Sequence, residues 1–216
     1  MPQQFSITSA AACVCFMTLS GLAESGPSNP ALVAAFDLCT DIPQDVETAR
    51  SILRGNGWQS ATDAAQSALF NAFTVFQFKS DDLDFTFSNA GFMAVSVLGN
   101  SALGRDQVGM RAEADTLAVL GVPEGRPYCI LTGSDALLET LLKDQSFIER
   151  TSVTSDVVTQ VTGVVRNQVT AMVGKIESRK LAEAIAASEI PEDDATEIMR
   201  ILNPVTIHFV SSEVEK

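Results

Sequence analysis

Cys39 and Cys129 stand ninety positions apart and are the only cysteines beyond the first 23 residues of this 216-residue chain. An even pair left in an exported protein reads as one disulfide. The spacing is far too long for a local zinc knuckle. A bridge across it ties the early and late parts of the sequence into one core. The alternative is two unrelated buried thiols.

The export reading rests on the N-terminus. Met1 to Ala23 carry no charged side chain, and Ala10 to Leu19 form an apolar run of signal-peptide length. That run is shorter than the ~20 residues a membrane span needs. Gly21 and Ala23 offer a small-residue cleavage site ahead of the polar stretch Glu24 to Pro30. No Lys or Arg precedes the apolar run, so only the α-amine supplies the positive end. A buried N-terminal helix or strand is the competing reading. A lipoprotein site at Cys13 fits less well, because the apolar run would follow the cysteine. We expect 1–23 to be a signal peptide and the mature protein to be periplasmic or secreted.

The remainder predicts one domain, 31–212, of α+β class: an antiparallel sheet with helices packed on one side and one long-range disulfide. Leu32, Phe36 and Cys39 share a helical face and aim the cysteine inward. A second helix, opened near Asp41 and Pro43, carries Val46, Ala49, Ile52 and Leu53 inward and stops at Gly55-Asn56-Gly57. Trp58 fills the core behind that stop. Ser60 and Asp63 resemble a capping box ahead of a third helix. From Thr74 the short runs 75–79, 83–88 and 92–98 read as strands of a meander, with Asn89-Ala90-Gly91 as a hairpin turn. Residues 111–120 read as a helix, Tyr128–Leu131 as a strand carrying Cys129, and Ser134 as the start of a Leu-rich helix. Between Ser155 and Ile176 the helical steps of Val158, Val161, Val165, Val169, Met172 and Ile176 are weighed above the Val, Thr and Gly content, which favours two strands, and a helix is expected. Helices follow over 179–188 and from Pro191 to about Leu202, and Val205–Val210 ends the domain as a strand.

Charge limits the partners. There are 14 Lys and Arg against 27 Asp and Glu, a net charge of −13. Such a surface repels phosphate backbones and anionic headgroups, so neither nucleic acid nor peripheral membrane binding is expected. Familiar catalytic sets are missing. His208 is the only histidine, which leaves zinc sites built from several histidines without ligands. No G-x-S-x-G, S-x-x-K, P-loop, G-x-G-x-x-G or C-x-x-C sequence occurs. No cofactor is expected. Asp81, Asp82 and Asp84 lie in a turn where a hard cation such as Ca²⁺ would find oxygens, but without EF-hand spacing they read as a solvated turn. Glu192, Asp193 and Asp194 read as a helix start.

Phe36-Asp37-Leu38-Cys39, Pro43, the helix to Leu53, Gly57-Trp58 and the later Cys129 together resemble a loose group of small uncharacterised exported proteins of Gram-negative bacteria. The resemblance covers about 31–58 and one cysteine. It implies a periplasmic α+β protein with a disulfide and no particular activity. The expectation is therefore a non-enzymatic binding protein of the cell envelope, with an envelope protein as its partner. The alternative is a periplasmic hydrolase using carboxylates or His208, and a third reading is an acidic protein that holds metal.

Overall fold

A computed structural model describes residues 29–41, 45–61, 63–99, 107–112, 115–120, 128–165 and 169–210. The proposed signal peptide, Pro43 and the C-terminal acidic tail lie outside these residues.

Eight antiparallel strands form one sheet in the order β1-β2-β3-β4-β8-β7-β6-β5. They are β1 (Gln59–Ser60), β2 (Gln107–Ala112), β3 (Asp115–Leu120), β4 (Tyr128–Gly133), β5 (Ile148–Thr154), β6 (Val158–Val164), β7 (Thr170–Ile176) and β8 (Val205–Val210). The last strand sits in the middle, hydrogen-bonded to β4 on one side and β7 on the other. Period-two alternation along β4 and β8 sends neighbouring side chains to opposite faces. Cys129, Leu131, Ile207 and Phe209 enter one core, whereas Ile130 enters the other.

The first core is roofed by α1 (Pro30–Thr40), α2 (Val46–Gly55) and α5 (Asp135–Asp144). Leu32, Phe36 and Cys39 line the inner face of α1, as their spacing predicts, and Phe36 meets Phe209 edge-on with ring centroids 5.8 Å apart. Cys39 and Cys129 form the disulfide, with Cα atoms 5.4 Å apart. Trp58 is buried and donates its indole N–H to the carbonyl of Ala31 at 2.8 Å. Gly57 takes a left-handed φ of 89° after α2, the conformation a glycine stop supplies most easily. Asp45, rather than Asp41 or Thr40, caps α2: its carboxylate accepts from the amides of Glu47 and Thr48 and from the Thr48 hydroxyl. Those bonds hold its pKa below the usual carboxylate value.

The opposite face carries α3 (Ala64–Phe76), α4 (Leu83–Gly99), α6 (Ser178–Ala186) and α7 (Glu192–Ile201). The α+β class, the antiparallel sheet and the long-range disulfide are as expected, but helices cover both faces instead of one.

Three segments depart from the sequence reading. The meander over 75–98 is absent: α3 runs through Phe76, and 83–99 is one helix. Leu83, Phe87, Ala90 and Ala94 step by four, three and four into the core. Phe85 points out, which made 83–88 look like an alternating strand. The helix expected over 111–120 is replaced by strands: Arg111 and Ala112 belong to β2 and Asp115–Leu120 is β3, with Ala112 opposite Asp115. The stretch 155–176 is β6 and β7 rather than a helix. There Val169, Ala171 and Val173 alternate into the first core, while Val158 and Ile176 enter the second.

Gly174 allows α3 to lie directly on β7. A Cβ built there would stand 1.9 Å from Cγ1 of Val75, a short branched side chain that cannot swing clear in a helix. Gly174→Ala is expected to cost about 2 kcal/mol in urea unfolding. The loss should shrink in the Gly174→Ala/Val75→Ala double variant relative to the sum of the singles. Strict additivity would show that the two sites do not collide.

Candidate functional site

His208 lies on the face of β8 opposite Ile207 and Phe209, as strand alternation predicts. Its neighbours across the ladder are Ile130 and Met172, and the Phe76 ring stands 6.2 Å away, centroid to centroid. Burial pushes the imidazole down to about 4, so it is neutral at pH 7.

Asp81 and Asp82 lie between α3 and α4, and Asp84 in the first turn of α4, not between strands. Asp82 accepts from the amide of Phe85 at 3.0 Å and so caps the start of α4. Among the described residues, no group of three or more His, Cys, Asp or Glu side chains is placed to hold a metal ion. Glu192, Asp193 and Asp194 occupy the first turn of α7, as predicted.

Two surface features were missed by the sequence reading. The first is the outer ridge of α4. Phe85, Ser88, Phe92 and Val95, stepping by three, four and three, lie on one exposed line, with Phe85 44%, Phe92 69% and Val95 56% exposed. Asp84 is the only charged residue between 83 and 99. Phe85 also receives the ammonium of Lys79, 4.4 Å from its ring centroid. The signal was present in the sequence, since a helical wheel over 83–99 has apolar side chains on both sides.

The second is a cleft of about 450 Å³ between α3, α4, α7 and β2. Asp63 precedes α3 but makes no side-chain cap bond; its carboxylate faces Arg111 of β2 at 3.3 Å. The expected capping box with Ser60 is therefore not formed, and the Ser60 hydroxyl accepts from Arg54 instead. On α7, Arg200 donates through Nε and Nη2 to Glu197 at 2.7 and 2.5 Å. This bond lowers the Glu197 pKa and raises that of Arg200, with a further contribution to Arg200 from the charge of Asp63. The four side chains thus alternate in sign around the cleft. Below them, buried Asn71 donates to the carbonyls of Ser67 and Ile201 and accepts from the amide of Asn203. These bonds fasten the end of α7 to α3.

No family model, curated protein or solved structure matches the chain. The functional reading therefore rests on its own residues. Among the described residues, no helix is long and apolar enough to cross a membrane.

Proposed function

We propose that the chain is an exported, non-enzymatic binding protein of the cell envelope that docks a protein partner on the outer ridge of α4. The ridge is the observation that carries this reading: two phenylalanines and a valine stand exposed in line on a helix almost free of charge. Aromatic anchors of this kind dominate protein interfaces. The partner's chemistry follows from the surroundings. Asp81, Asp82 and Asp84 stand exposed at one end of the ridge and the chain carries −13 overall, so a protein with an apolar patch beside basic residues fits. An anionic lipid surface fits less well, because the same charge opposes its approach.

Export is supported by the disulfide, which persists in oxidising compartments, and by the uncharged apolar segment at the N-terminus. The apolar packing of half-buried His208 against Ile130, Met172 and Phe76 supports binding over hydrolysis.

The test is co-purification from the periplasm with wild type, Phe92→Asp and Val153→Asp. Val153 is equally exposed but lies on β5, away from the ridge. One basic partner should be lost with Phe92→Asp, kept with Val153→Asp and weakened by added salt, and the recovered chain should begin at Glu24. Retention of the partner by Phe92→Asp, a self-pair in its place, or a periplasmic chain still beginning at Met1 would overturn the reading.

A further inference from the structure

We infer that the cleft between α3, α4, α7 and β2 binds a small zwitterion with an apolar side group, an α-amino acid or short peptide, independently of docking on α4. Three observations converge. The rim alternates in sign through Arg111, Asp63, Arg200 and Glu197, and the charges of this quartet sum to zero. A lone anion would meet the two carboxylates and the protein's overall −13, and a lone cation would meet two guanidinium groups. A zwitterion avoids both penalties, placing its carboxylate against the arginines and its ammonium against Asp63 and Glu197.

Next, Asp63 occupies an N-cap position yet gives up the cap bond to face Arg111. A local rule broken without local gain marks a residue held for another purpose. Finally, α7 has an apolar inner side, Ala195, Ile198, Met199 and Ile201, but buries none of its residues fully. Phe70 and Ile201 give the cleft apolar walls, and the volume of about 450 Å³ falls within the range of small-molecule sites. An aliphatic side group seated there would complete the burial that α7 lacks.

Titration calorimetry with L-leucine and with L-leucyl-L-leucine separates the two sources of this chemistry. L-Leucinamide, which lacks the carboxylate, and 4-methylpentanoate, which lacks the ammonium, serve as single-charge controls. At least one zwitterion should bind with a Kd below about 10 mM, and each control should be weaker by about tenfold or more. Arg111→Gln and Glu197→Gln should each weaken binding by about tenfold while the ligand-free melting temperature falls by no more than about 3 °C, since Glu197 is exposed, Arg111 is partly so, and ion pairs of this kind add little stability. Bound ligand should also slow amide exchange in α7. Absence of binding by both zwitterions, equal binding of a single-charge control, or unchanged affinity in both variants would overturn the inference.

Discussion

Removing the Cys39–Cys129 bridge is expected to destabilise the protein by about 4–5 kcal/mol, lowering its melting temperature by roughly 10–15 °C. The bridge closes a loop of ninety residues, and the conformational entropy it removes from the unfolded chain grows with that length. Both cysteines are fully buried, one on α1 and one on central β4, so the staple joins the first helix to the middle of the sheet. Free thiols are themselves at ease in an apolar core. The loss should therefore come from the unfolded state and not from damage to the packing around Phe36 and Phe209. Urea unfolding of oxidised protein, reduced protein and a Cys39→Ala/Cys129→Ala variant checks this. The two bridge-free forms should agree within about 1 kcal/mol and have steeper denaturant slopes than the oxidised protein, because their unfolded chains are more open. Equal stability of the oxidised and reduced forms would remove the staple from the account, as would uptake of two alkyl groups by the native protein.

Acidification should produce the second large effect, through His208. An unfolded chain binds a proton at an ordinary imidazole near 6.5, whereas burial holds the folded group near 4. Between these values the unfolded state binds more protons, so stability falls as pH falls. The stabilisation is complete above pH 6.5, is lost progressively down to pH 4 and levels off below it. The gap corresponds to about 3 kcal/mol. Three of its neighbours, Ile130, Met172 and Phe76, do not titrate in this window. Carboxylates with lowered pKa values, such as Asp45 and Glu197, add losses in the same direction but at lower pH. His208→Leu separates the two: its unfolding free energy should be nearly flat from pH 6.5 to 5, where that of the wild type declines. Parallel profiles would show that the imidazole takes up its proton in the folded state at an ordinary pH.

The sequence was most legible where one signal had no rival. Leu32, Phe36 and Cys39 mark a single helical face, Gly57 ends α2, and VTIHFV is apolar and β-branched enough to be a strand in any setting. It was least legible where two periods coexist. The residues 83–88 alternate like a strand because Phe85 faces solvent while Leu83 and Phe87 face the core. Val158, Val161, Val165, Val169, Met172 and Ile176 step like a helix, yet β6 and β7 divide them between the two faces of the sheet. Tertiary context decided both cases, as it commonly does for β-structure. The cleft was hidden for another reason. Asp63, Arg111 and the Glu197–Arg200 pair are distant in sequence and each has an ordinary local explanation, and only the packing of α3, α7 and β2 brings them together.

The position of β8 has a consequence for how the molecule comes into being. Residues 205–210 fill the gap between β4 and β7, so the sheet is two separate halves until β8 itself has been synthesised. A growing chain emerges N-terminus first and lacks the piece that joins those halves. Pairings of such long sequence separation also form slowly. Late closure leaves the inner edges of β4 and β7 unpaired until β8 emerges, an open template for pairing with other chains.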